Sequence, residues 1–151
     1  MLTLYYHTGA CSLAPHIALE WIGEPYETKA IKFGDKEYLK INPAGAVPAL
    51  DTGEGWILTQ AAAVLRYLAD RFPQAGIAPD GSPRDEAEAD RWSSFITGDK
   101  LSYLDAYVFP MERWGASLLE DGLSKYPNVQ KHHDMMAADE GVKRALAAEG
   151  A

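Results

Sequence analysis

The chain has 151 residues, with 14 Lys and Arg against 22 Asp and Glu, for a net charge of −8. A composition of 47% hydrophobic and 24% charged residues is that of a globular protein, and the apolar runs are too short to span a membrane. The acid excess speaks against DNA or another nucleic acid as a partner, because no surplus of cations exists to displace its counterions. Residues 1–75 carry 8 acids and 6 bases and residues 76–151 carry 14 and 8, so an anionic small ligand is better placed on the first half. One cysteine, Cys11, allows no internal disulfide, and the N-terminus lacks signal-peptide patterning. A reducing, cytoplasmic setting is therefore expected.

Leu2–Tyr6 reads as a short buried strand stopping at His7-Thr8-Gly9. Ser12–Ile22 places apolar residues at 13, 17, 18, 21 and 22, a helical face closed by Gly23, with Pro15 in the tolerated first turn. Tyr26–Ile31 predicts a second strand, parallel to the first because a helix intervenes. Val47–Asp51 and Trp56–Leu58 flank Thr52-Gly53-Glu54-Gly55 as a hairpin, and Gln60–Phe72 carries a helical stripe at Ala61, Val64, Leu65 and Leu68. Pro, Gly and Asp from Pro73 to Ser82 mark a linker. After it Ser82-Pro83, with Asp85 and Glu86, reads as a helix start. Ser102-Tyr103-Leu104-Asp105 reads as a capping box opening a helix to about Leu119, bent at Pro110. Asn128–Ala137 and Asp139–Ala148 complete an all-helical second half.

Cys11 stands where a strand has ended and a helix begins. Unpaired N–H groups and the helix dipole there would lower its pKa; a small buried hydrophobe is the equal alternative. Ala14 stands where a dithiol cycle would need a second cysteine. Val47-Pro48 starts a strand with either an ordinary trans proline or a cis bond that turns the Val47 backbone toward a peptide-like ligand. Thr59-Gln60-Ala61 opens a helix, either as a simple Thr59 cap or as N–H groups offered to a carboxylate. Tyr6 is a core residue or a hydroxyl aimed at the Cys11 turn, and His16 reads as structural. The adjacent His132 and His133 diverge on a helix and make a poor metal pair, so no metal is expected.

Together these residues resemble a known family. Leu4-Tyr5-Tyr6, Gly9-Ala10-Cys11-Ser12-Leu13-Ala14-Pro15-His16, Ile41-Asn42-Pro43, Val47-Pro48-Ala49-Leu50 and Leu58-Thr59 are similar to bacterial beta-class glutathione transferases. Tyr67-Leu68-Ala69-Asp70, Asp105-Ala106-Tyr107, Tyr126-Pro127-Asn128 and Val142–Glu149 continue the likeness to the end of the chain. The resemblance implies an α/β plus all-α fold. It would comprise a thioredoxin-like βαβ-ββα glutathione-binding domain over 1–73, a linker over 74–82 and a shortened helical domain over 83–151.

Carried over residue by residue, the resemblance makes Cys11 the active cysteine and Tyr6 its catalytic neighbour. Pro48 becomes a cis-proline, and Val47 a backbone partner of the cysteinyl part of glutathione. The family's Glu-Ser pair at the γ-glutamyl end falls on Gln60-Ala61, losing a carboxylate and a hydroxyl, so weaker binding is expected. Lys32 and Lys36 are both candidates for a glutathione-contacting lysine. Ile96-Thr97 runs directly into Gly98-Asp99, where the family carries a His-Lys pair and several dozen more residues. The implied function is conjugation of glutathione to a small electrophile in detoxification, or chemistry through a Cys11–glutathione mixed disulfide. Reduced activity and a homodimer are expected. The alternatives are a non-catalytic binding protein of the same fold and a monothiol glutaredoxin-like reductase.

Overall fold

The structure is a computed structural model and describes residues 1–78 and 101–151. The expected helix start at Ser82-Pro83 and the junction at Ile96-Thr97-Gly98 lie outside the described residues. The first half runs β1 (Leu2–Tyr6), α1 (Leu13–Ile22), β2 (Tyr26–Ala30), α2 (Lys36–Ile41), β3 (Ala49–Asp51), β4 (Ile57–Thr59) and α3 (Ala61–Arg71), then a 3₁₀ turn at Pro73–Ala75. The sheet order is β2-β1-β3-β4, with β1 and β2 parallel and the other pairs antiparallel. The helical half runs α4 (Tyr103–Leu118), α5 (Pro127–Ala138) and α6 (Glu140–Glu149).

The two-residue period of β1 divides its side chains between two cores. Leu2, Leu4 and Tyr6 face α1 and α3 and pack with Ala18, Leu50, Leu65 and Leu68. Tyr5 faces the other way, where Tyr38 of α2 joins Ile31, Val47 and Ala49. A third core seats Leu13 and Ile17 of α1 against Ala106, Phe109, Met136, Val142 and Ala145. Thus α1 is buried between the sheet and the helical half, which accounts for its unbroken burial from Leu13 to Leu19.

The structure departs from the pattern reading in particular places. A helix, α2, occupies what reads as a plain connection; Asp35 caps it by accepting from the Glu37 N–H at 2.9 Å. In the β-hairpin, β3 starts at Ala49 rather than Val47, and β4 has the expected three residues but is shifted by one to Ile57–Thr59. Within the expected linker, Ile77 is buried in the main core, and its carbonyl accepts the Tyr103 N–H at 3.0 Å. The capping box is present, with Ser102 accepting from Leu104 and Asp105 accepting from the Ser102 N–H. Pro110 lies inside α4 without ending it.

Candidate functional site

The turn from His7 to Ser12 is held from several directions. Gly9 adopts φ +77°, a left-handed conformation that side chains resist. The Ser12 hydroxyl accepts from the His7 N–H and donates to the His7 carbonyl, each at 3.2 Å. The Thr8 hydroxyl donates to the Glu149 carbonyl at 2.8 Å, and the Trp114 indole donates to the Gly9 carbonyl at 2.8 Å. Cys11 sits half-buried on this turn, and its thiol lies 3.3 Å from the Val47 carbonyl as donor.

The expected low pKa of Cys11 is corrected. Burial pushes the thiol up from its ordinary value, with the residue's own backbone N–H opposing the rise. Burial is the main cause, and the first turn of α1 does little to oppose it. The Leu13 N–H bonds the Ala10 carbonyl at 3.1 Å, the Ala14 N–H bonds the Cys11 carbonyl at 3.2 Å, and Pro15 has no N–H. These two donors are turned away from a thiolate, and burial outweighs the Cys11 N–H that still faces the sulfur. Cys11 is therefore a thiol at neutral pH, able to donate one hydrogen bond.

Val47 lies beside Cys11, and the Val47-Pro48 bond is cis. The Val47 N–H has no hydrogen-bond partner among the described residues. The loop leading to it is fixed from α2. Tyr38 Oη and Asn42 Nδ2 both donate to the Ala46 carbonyl, at 2.5 and 2.7 Å, and the Ala44 N–H bonds Asn42 Oδ1 at 3.2 Å.

At the start of α3 the cap is Gln60 rather than Thr59. Gln60 adopts φ +73° and makes no side-chain capping bond. A non-glycine residue in that region is strained by about 1–3 kcal/mol, and such residues concentrate at ligand sites. Ala61, Ala62 and Ala63 follow, and among the described residues no side chain makes a capping bond to the first turn of this 11-residue helix. Lys36 opens α2 and Lys32 precedes it; both are exposed.

Of its two expected placements, Tyr6 takes the core one. It is buried in the sheet core, and its hydroxyl donates to the Ala148 carbonyl of α6 at 3.4 Å rather than to Cys11. The geometry makes Tyr6 a tie between β1 and the last helix. Two features of the site escaped the sequence pattern. Trp114 comes from α4, 105 residues from Gly9, and no local spacing announces that contact. Tyr38 and Asn42 were legible in principle, since Asp35 before Lys36-Glu37 is a helix-cap signal. Among the described residues no group of His, Cys, Asp and Glu is arranged to hold a metal ion.

Comparison with known proteins places this geometry among relatives. The model of the glutathione S-transferase N-terminal domain matches residues 1–70, and that of the C-terminal domain matches residues 85–149. Glutathione S-transferase GST-4.5 of Xanthomonas campestris is 40% identical over 136 residues, 88% of this chain and 62% of that protein. The chain thus spans less than two thirds of that relative. A glutathione S-transferase structure from Xylella fastidiosa is 30% identical, with 99% of each chain covered and a TM-score of 0.88. A sphingomonad glutathione S-transferase complexed with glutathione is 27% identical, with 98% of each chain covered and a TM-score of 0.81.

Proposed function

The chain belongs to the glutathione S-transferase family, and from that premise we propose that it binds glutathione and conjugates it to a small electrophile. The observation that carries this reading is the Cys11–Val47 contact. The Val47 N–H without a partner suits the backbone of a cysteinyl peptide, and the Cys11 thiol lies on the carbonyl of the same residue. A peptide paired with Val47 brings its own sulfur toward Cys11. The uncovered N–H groups of α3 suit the carboxylate at the γ-glutamyl end. Gln60 and Ala61 border that end with an amide and a methyl group, which supports weaker binding than a carboxylate and a hydroxyl would give.

Conjugation forms one carbon–sulfur bond, breaks the bond to the leaving group or shifts a double bond, and releases the thiol proton. The single Cys11 S–H, held by the Val47 carbonyl in the unliganded chain, turns to the ionised sulfur when glutathione binds and favours the anion over the thiol. Val47 and α3 hold the peptide so that the reaction becomes effectively unimolecular. The Trp114 indole, over the turn at Gly9, supplies an apolar wall for the electrophile. A raised thiol pKa supports this donor role over a Cys11–glutathione mixed disulfide. Homodimerisation, detoxification and a cytoplasmic setting belong to the same proposal. The span of 62% of GST-4.5 supports a shortened helical domain and low turnover.

Retention on immobilised glutathione and steady-state conjugation of an aryl halide test the reading together. Retention with slow but measurable turnover is expected, with turnover reduced further in Cys11→Ser. Passage through the column without turnover would instead favour a binding protein that kept the fold and lost the site.

A further inference from the structure

Helix α4 contains its own weak point. Pro110 has no N–H, so the Ala106 carbonyl one turn earlier loses its rung of the helical ladder. Asp105 and Glu112 flank the break, seven residues and two turns apart on one face. His132 of α5 lies against both. Its Nε2 is 3.0 Å from Asp105 Oδ1, and its Nδ1 is 2.8 and 3.0 Å from Glu112 Oε1 and Oε2. All three side chains are at least nine-tenths buried, at 8%, 9% and 3% exposure. Both ring nitrogens face acceptors, and only imidazolium offers two donors. Asp105 divides its oxygens, Oδ1 to His132 and Oδ2 to the Ser102 N–H of the capping box at 2.7 Å.

Beyond the proline, Glu112 and Trp114 stand two residues apart and project from opposite sides of the helix, about 200° around its axis. Glu112 is held by His132, and Trp114 holds the Gly9 carbonyl two residues before Cys11. A rotation of this half of α4 disturbs both contacts at once.

We propose that His132 is a positioning residue for the Cys11 site: bridging Asp105 and Glu112 across Pro110, it fixes the second half of α4 and with it the Trp114–Gly9 contact that sets the Cys11 turn. The charged groups facing the ring from α4 are these two carboxylates. From α6, apolar Val142 and Ala145 meet Met136 of α5. On α5 itself the neighbouring His133 lies 3.5 Å from Asp134. Burial opposes the charge on His132, and the two carboxylates outweigh it, so its pKa is pushed up to about 9. The brace is charged at neutral pH and lost in alkali. The inference rests on Cys11 being the reactive group of the proposed site, so its test reads the turn and the thiol directly rather than turnover.

The test follows the Trp114 indole N–H by nuclear magnetic resonance in the full chain, assigned with Trp114→Phe, beside alkylation of Cys11 by iodoacetamide. In the unmodified protein, the indole signal is expected to shift with the same midpoint as the His132 ring, and Cys11 alkylation to show a second inflection there. In His132→Gln, indole exchange is expected to rise roughly tenfold and the second inflection to vanish. Pro110→Ala restores the missing rung, so Pro110→Ala/His132→Gln should recover most of the indole protection, which a merely structural histidine would not. A Trp114 signal that ignores the His132 titration in the unmodified protein overturns the proposal, whether or not the variants fold. An equal exchange rise with and without Pro110 overturns it too. Loss of glutathione retention with these responses intact would count against the proposed function alone.

Discussion

His16 Nδ1 lies 2.9 Å from Glu149 Oε1, with neither side chain exposed to solvent. The contact joins the middle of α1 to the last residue of α6 across 133 positions of sequence. Tyr6 and Thr8 bond the carbonyls of Ala148 and Glu149 beside it, so the C-terminal end of α6 closes directly on the strand and turn that carry Cys11. Among the described residues Glu149 Oε2 and His16 Nε2 are buried without a partner, which leaves the pair no alternative hydrogen bonds there once one member is removed. Glu149→Ala is therefore expected to cost about 3–5 kcal/mol, and Glu149→Gln, which retains an acceptor, clearly less. Urea unfolding of the two variants checks this; equal midpoints would show that the pair contributes packing rather than pairing.

Cys11 is expected to titrate above the ordinary thiol value of 9.0, because burial favours the uncharged form. Alkylation by iodoacetamide, which consumes only thiolate, should rise through an inflection above that value in the absence of glutathione. An inflection near neutrality would show that the helix start stabilises the anion despite the paired N–H groups of Leu13 and Ala14.

The pH dependence of stability has a definite sign at His132. Its folded pKa is about 9 against an ordinary 6.5, so the folded state binds the proton more tightly. The stabilisation is fully present below about 6.5 and is lost as pH rises through about 9. After screening by solvent it amounts to on the order of 2 kcal/mol. Unfolding free energies measured at pH 6, 8 and 9.5 should decline over that range in the unmodified protein, and His132→Gln should remove the decline. A flat profile in both proteins would remove His132 as its source.

These long contacts explain what sequence pattern reveals and what it hides. The apolar run of Leu2–Tyr6, buried on both faces, and the 3.6-residue stripe of Gln60–Phe72, which buries one, act locally, and β1 and α3 appear close to where those patterns put them. Six-residue α2 has one buried side chain, Tyr38, too little for a stripe to declare itself. The Cys11 turn is legible as a position but not as an environment. Its thiol depends on carbonyls taking the N–H groups of α1, on Val47 36 residues away and on Trp114 far along the chain. His132 reads as half of a divergent histidine pair, and its two carboxylates become neighbours only when α4 packs on α5.

Gln60 carries a conformational cost that its position at the head of α3 must justify. At φ +73° a glycine would relieve strain of about 1–3 kcal/mol and return up to about 1 kcal/mol as unfolded-chain entropy. Gln60→Gly is expected to stabilise the fold by roughly 1 kcal/mol while weakening glutathione retention. Thermal unfolding paired with glutathione titration calorimetry checks both halves. A variant that loses stability would mean that the Gln60 side chain holds the loop by itself.

Ala61 offers the opposite experiment, a gain of binding. It opens α3 with 8% exposure and no polar atom on its side chain, beside N–H groups that suit a carboxylate. Serine there adds a hydroxyl where the proposed γ-glutamyl carboxylate approaches, at the cost of one small buried polar group. A hydrogen bond to a charged acceptor contributes about 1.5–3 kcal/mol. Part is offset by desolvating the hydroxyl, so Ala61→Ser is expected to tighten glutathione binding roughly fivefold to tenfold. Cys-Gly, which lacks the γ-glutamyl group, should bind both proteins equally. Calorimetric titration with the two ligands separates the cases: a matching gain for Cys-Gly would place the γ-glutamyl end away from α3.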